Sequence, residues 1–151
     1  MTAQDDQNEA RKGWMSLLAK SPAQRLADLT GEITDWPGFE WLRPPEVGGV
    51  MVRGRTGGTG APFNLGEMTV TRCALRLATG EVGHGYVQGR DKAHAERAAL
   101  IDAMMQTERA EELRRAVLDP LETQLQAAKA SRAARAAATK VDFFTMVRGE
   151  D

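Results

Sequence analysis

The stretch Arg53-Gly54-Arg55-Thr56-Gly57-Gly58-Thr59-Gly60 has the residue types for binding an anion. Its glycines allow close backbone approach, its threonines supply hydroxyls and its arginines bring positive charge, which together are the ingredients of a phosphate cradle. The pattern is neither a P-loop, which needs a Lys-Ser/Thr pair opening a helix, nor the dinucleotide fingerprint, which needs a strand-to-helix turn. A glycine-rich turn between two strands, with solvated arginines, accounts for the same residues. A second cluster, Gly89-Arg90-Asp91-Lys92-Ala93-His94-Ala95-Glu96-Arg97, sits where a strand hands over to a helix. There the positive end of the helix dipole adds to Arg90, Lys92 and Arg97. Arg97 interrupts an apolar stripe, so it must snorkel, pair with a carboxylate such as Glu67 or Asp102, or face a site. A structural ion pair serves as well as a ligand role there.

Other reactive residue types lead to less. His94-Ala95-Glu96 has the His-x-Glu spacing of zinc deaminases, but no downstream cysteine pair completes the metal site. His84 titrates in the useful range, yet no nucleophile and orienting group can be assigned to it. Cys73 alternates with Leu75 and Leu77, as a packed residue would. Lys129, Arg132, Arg135 and Lys140 fall within an arc of about 140° on a helix, a positive stripe suited to phosphate, to an acidic protein surface or to solvent.

These residues need elements to hold them. Trp14, Leu17 and Leu18 recur at helical spacing between about Asn8 and Lys20, and Ser21-Pro22-Ala23-Gln24 offers an N-cap, a first-turn proline and a capping-box partner. A second helix with Leu26 and Leu29 stops at Gly31, read as a left-handed C-cap, which gives a helical hairpin over residues 8–31. Trp36, Phe39 and Trp41 lie in a connector closed by Pro44-Pro45, which should break both helix and ladder. Residues 47–88 read as an antiparallel sheet, with strands at Val50–Val52, Met68–Leu77 and Val82–Val87 and a tight hairpin at Thr79-Gly80. Gly83 and Gly85 leave one face of the last strand bare, so something must approach it closely. Asp91 caps a helix whose stripe is Ala93, Arg97, Leu100, Ile101 and Met104, and a further helix runs from Glu108 to Leu118, ahead of Pro120. Leu121–Lys140 is an Ala-rich helix with little area to bury, and Val141–Val147, with Phe143 and Phe144, reads as an extended tail. The fold class is therefore α+β in one domain over residues 1–151, with helices over 91–118 and a partner-docking segment over 121–151.

Composition sets the outer limits. The chain has 151 residues, of which 42% are hydrophobic and 27% charged. That is enough to build one core without disulfides. A net charge of -1 gives no global field toward nucleic acid or membrane. One cysteine and two histidines do not suffice to close a metal site within the chain, and none is expected. No apolar run spans a bilayer and the first residues are polar and acidic, so a cytoplasmic location is expected.

Taken in order, Trp14–Ala19, Gly57–Gly60, Tyr86–Lys92, His94–Arg97 with Ala99–Ala103, and Val141–Gly149 closely resemble the PhnG family, a subunit of the bacterial carbon-phosphorus lyase system. The resemblance runs from near residue 12 to residue 149. It implies a role with PhnI, PhnH and PhnL in replacing the adenine of ATP by a phosphonate, giving a ribose 1-phosphonate 5-triphosphate. It also implies that nucleosidase chemistry belongs to PhnI and carbon-phosphorus cleavage to PhnJ. ATP with Mg is then a substrate of the assembly, and no cofactor is bound by this chain alone. No catalytic set carries over. The ligand-proximal candidates are Arg55, Thr56, Gly57, Gly58, Thr59, Gly60, Arg90, Lys92, His94 and Arg97. The partner-interface candidates are Trp36, Trp41, Lys129, Arg132, Arg135, Phe143 and Phe144. The alternative is a protein that directly binds a nucleotide or phosphate through the Gly57–Gly60 loop.

Overall fold

The computed structural model describes residues 2–55 and 62–149. Two helices, α1 (Ala3–Lys20) and α2 (Ala23–Thr30), lead into three strands, β1 (Phe39–Arg55), β2 (Pro62–Leu77) and β3 (Val82–Gln88). Then come α3 (Lys92–Met104), a short α4 (Ala110–Leu113), a π-helical turn at Arg114–Leu118 and the long α5 (Asp119–Gly149). The sheet is antiparallel in the order β1-β2-β3, and the fold is the α+β arrangement that the grouping of strands between helices implies.

Helix α1 begins five residues before the apolar periodicity does. Its first turns are fully exposed, so they carry no stripe, but Thr2 and Asp5 form a reciprocal capping box. The cap expected at Ser21 is absent: Ser21 ends α1, and its hydroxyl donates to the Leu18 carbonyl at 2.7 Å. Gly31 keeps a right-handed φ of -64°. The left-handed residue is Asp35, at φ 59°, a conformation short polar side chains tolerate. Arg109 fixes that turn by donating to the carbonyls of Thr34 (3.0 Å) and Asp35 (2.7 Å).

Strand β1 corrects the connector. Pro44-Pro45 sits inside it, where the register slips between Trp41 and Arg43 and again before Glu46. Because β1 is an edge strand, prolines at a bulge lose no ladder bond that the sheet requires. The sheet thus starts at Phe39 rather than at residue 47. Pro120 likewise fails to stop its helix. It lies in the first turn of α5, and the preceding turn widens so that the Asp119 N–H donates to the Arg114 carbonyl. Widening accommodates the proline ring, which would otherwise crowd the carbonyl four residues back.

One layer of helix covers one face of the sheet. The core gathers Leu17 and Leu18 of α1, Leu26 of α2, Leu75 and Leu77 of β2, Val87 of β3, Ala98, Ala99, Ile101 and Met104 of α3, and Leu113, Val117, Leu118 and Leu121 beyond. Gly83 and Gly85 explain the close fit: a Cβ at either would collide with the backbone carbonyl of Ala99 or Ala95. The bare strand face is thus filled by the chain's own α3 rather than by a partner. The buried residues of α3 are His94, Ala95, Ala98, Ala99, Ile101, Asp102, Ala103 and Met104, so Ile101 and Met104 of the expected stripe are buried, Arg97 and Leu100 are partly so, and Ala93 is exposed. Gly80 takes a positive φ of 108° in the β2–β3 turn, as that hairpin requires.

Two elements leave this body. Strand β3 pairs with β2 only from Val70 to Arg76, so the β1–β2 pairing from Gly49 and Thr69 outward to Arg55 and Pro62 is a two-stranded ribbon. None of its residues with described side chains is buried. In α5, Leu121 is buried and Leu125 partly so, after which every residue from Gln126 to Lys140 is exposed. The backbone of 141–149 stays helical, which corrects the extended tail. Adding a residue to an existing helix needs no new nucleus, so the strand preference of Val141–Val147 is overridden.

Candidate functional site

The expected anion site lies at the start of α3. Arg90 is exposed in the β3–α3 connection and Lys92 is exposed in the first turn. Beside them a groove of about 600 Å³ is lined by Lys20, Ser21, Tyr86, Gln88, Arg90 and His94, among others. Two of its groups are already committed. The Asp91 carboxylate accepts the His94 backbone N–H at 2.9 Å. A negative charge of the chain itself therefore occupies the helix N-terminus. His94 is buried, and its Nε2 lies 3.0 Å from the Leu18 carbonyl and 3.4 Å from Ser21 Oγ. A carbonyl only accepts, so Nε2 carries the proton, and the ring ties the α1–α2 corner to α3.

Arg97 is half-buried and makes no ion pair among the described residues. Glu67 is exposed and lies over Gly49 in the ribbon. Asp102 belongs to other donors. It is completely buried and accepts from Arg11 Nε (3.1 Å) and Nη2 (2.9 Å), Trp14 Nε1 (2.7 Å) and the His84 backbone N–H (2.9 Å). Arg11 Nη2 also donates to the Val82 carbonyl at 3.1 Å, and Gln106 Nε2 joins it there at 2.8 Å. The Asp102 hydrogen bonds raise the pKa of the Arg11 guanidinium, against partial burial, which lowers it. This cluster joins α1, β3 and α3, and sequence reasoning missed it. The available signal was Arg11 three residues before Trp14, which places both on one helix face.

Thr56, Gly57, Gly58, Thr59 and Gly60 lie outside the described residues, and Arg55 ends β1 opposite Pro62. Near the groove, Gly89 donates to the Thr69 carbonyl at 2.8 Å. Seven residues of ribbon, about 23 Å at strand rise, separate Thr69 from Pro62. Cys73 is buried with its thiol on the Ala95 carbonyl at 3.3 Å, and burial pushes its pKa up to about 11. It is therefore no nucleophile at neutral pH.

The interface candidates divide. Trp36 is exposed ahead of β1, whereas Trp41 packs against the core and meets Phe39 edge to face at 5.1 Å. Lys129, Arg132 and Arg135 are exposed on α5, and Arg132 borders a shallow groove of about 190 Å³ with Leu17, Pro22, Leu121 and Leu125. Phe143 and Phe144 are on the helical backbone of α5, and their side chains lie outside the described residues. No described helix is long and apolar enough to cross a membrane.

The Asp102 and His94 contacts thus serve to hold the helices together and to the sheet, while Arg90 and Lys92 stay exposed and the ribbon and α5 extend from the core. The family model described as phosphonate metabolism protein PhnG matches residues 9–149. A relative from Rhizobium meliloti (strain 1021), the alpha-D-ribose 1-methylphosphonate 5-triphosphate synthase subunit PhnG, is 46% identical over 150 residues, covering 99% of this chain and 96% of that one. This chain belongs to the PhnG family of phosphonate metabolism proteins.

Proposed function

We propose that this chain is a non-autonomous subunit of an α-D-ribose 1-methylphosphonate 5-triphosphate synthase, in which the adenine of ATP, supplied with Mg, is replaced by a phosphonate. Its partners are PhnI, PhnH, PhnJ and PhnL, in a cytoplasmic assembly classed as a transferase, and its own part is to scaffold a partner's active site. The relative's name supports the activity. The observation that carries the scaffold role is the run from Gln126 to Lys140, a helix exposed on every side. Such a helix, with little but alanine to bury, is marginal in water on its own and gains stability on another protein's surface. The groups at the groove beside α3 point the same way, since Asp91 and His94 serve the fold rather than a reacting ligand.

The test has two arms. An affinity-tagged chain co-expressed with the four other subunits should retain them through purification, and the purified assembly should release adenine from ATP when given methylphosphonate. ATP with Mg titrated into the isolated chain should give no saturable binding. Saturable binding to the isolated chain would replace the scaffold reading by direct nucleotide binding through the Gly57–Gly60 loop, and failure to retain any subunit would remove it.

A further inference from the structure

The two edges of the sheet are treated differently. On β3 the outward His84 N–H is taken by Asp102, and the outward Val82 carbonyl by Arg11 and Gln106. Helix α1 lies beside that edge, where Met15, Leu18 and Ala19 line a groove together with His84 and Tyr86. On β1, by contrast, no side chain among the described residues hydrogen-bonds a main-chain group. Between Glu46 and Val52 its register with β2 is unbroken. The run Glu46-Val47-Gly48-Gly49-Val50-Met51-Val52-Arg53 holds no proline or lysine, and its only charges stand at its two ends. Soluble proteins rarely leave such an edge open, because it is a template for another strand. Part of this run also belongs to the ribbon, which has two strands where independent stability needs three or a covering helix.

We propose that an extended strand of another subunit of the assembly pairs main chain to main chain with β1 between Glu46 and Arg53. This rests on the subunit role proposed above. The strand has the chemistry the edge asks for: apolar or β-branched residues opposite Val47–Val52, a basic residue beside Glu46 and an acidic one beside Arg53. A second copy of this chain does not supply it. Antiparallel pairing about a two-fold axis in one continuous sheet sets residues of the same face opposite each other. Glu46 and Arg53, seven residues apart on a strand of period two, occupy opposite faces. Centring such a pair on Gly49, Val50 or Met51 puts Arg53 against Pro45, Val47 or Gly49, so no charge pair forms. A foreign strand carries no such constraint.

The experiment is amide hydrogen exchange, read residue by residue, on the full-length chain alone and within the purified assembly. Alternate amides between Val47 and Val52, those pointing away from β2, should slow by at least about tenfold on assembly. The double charge reversal Glu46→Lys with Arg53→Glu, both at exposed positions, should weaken assembly about tenfold or more while the isolated chain unfolds as wild type. The proposal is overturned if the assembly forms with these amides exchanging as in the isolated chain, or if the charge reversal assembles unchanged. It is also overturned if the isolated chain sediments as a dimer with the edge already protected, which would make the occupant a second copy. Should no assembly form at all, the subunit reading fails and this edge pairing fails with it.

Discussion

Replacing Asp102 by Ala tests whether a single carboxylate holds α1 to the rest of the chain. Four donors converge on it, and in the variant the Trp14 indole N–H and the His84 amide lose their acceptor in a partly buried setting. Each orphaned donor costs about 1–3 kcal/mol. The Arg11 side chain is 33% exposed, so water can re-solvate part of its guanidinium and its share is smaller. Adding the two main losses gives about 2–6 kcal/mol, and the roughly 3–5 kcal/mol for breaking a fully buried ion pair bounds the Arg11 share from above, because its guanidinium reaches water. We expect about 3–5 kcal/mol, a large part of the roughly 5–15 kcal/mol that holds a typical domain. Asp102→Asn keeps the shape but turns one acceptor into a donor facing other donors, and should cost about 1–3 kcal/mol. Urea unfolding of the full chain, followed by far-ultraviolet circular dichroism, measures these differences. Indole fluorescence, to which Trp36 and Trp41 contribute beside Trp14, gives a second probe of the same transition. If Asp102→Ala unfolds within about 1 kcal/mol of wild type, the cluster does not anchor α1.

Further predictions concern the strand-helix contact, the thiol and the arm. Gly85→Ala forces a Cβ into the Ala95 carbonyl and toward Cys73, so α3 must shift. The cost should be at least about 1–3 kcal/mol in the same unfolding assay. The Cys73 pKa is raised from 9.0 to about 11 by burial, so its contribution to stability is complete below about pH 9 and is lost as pH rises through about 11. Wild type should therefore lose stability relative to Cys73→Ala across that window, and in the native state at neutral pH the thiol should resist alkylation until the chain unfolds. Deleting residues 127–151 removes no described side chain from the core. The body should then unfold within about 0.5 kcal/mol of wild type, while retention of the other subunits falls at least about tenfold. The same cut made at Leu121 would remove a buried core residue and confuse the two effects.

The elements with strong local signals are readable from the residues. Asp91 is the cap of α3, Gly80 turns the β2–β3 hairpin, Cys73 packs, and Gly83 with Gly85 announces a close approach whose occupant is α3. What misleads are signals whose meaning depends on distant neighbours. Pro44-Pro45 ends a strand in the middle of a sheet but is tolerated at a bulge on its edge, and no local window says which strand is the edge. Pro120 stops an ordinary helix, yet a wider preceding turn lets the chain pass. Thr2 and Asp5 spell a helix start, but the turns after them bury nothing, and periodicity is silent where there is no buried face.

The site is harder to read for a related reason. Charge next to a helix N-terminus suggests an anion, but whether the position is free depends on what the cap residue does, and here Asp91 brings its own carboxylate. Sequence proximity offers Asp102 to Arg97, five residues away, when its partner is Arg11, 91 residues away. A sequence shows which buried charge needs a partner; topology decides which arginine arrives. In a chain built for an assembly the same reasoning extends past its own surface. A long edge without a cap, a ribbon without a core and an alanine helix exposed all round each break a rule that isolated domains keep. Three such breaks in one small domain are more economically explained by missing neighbours than by three separate exceptions.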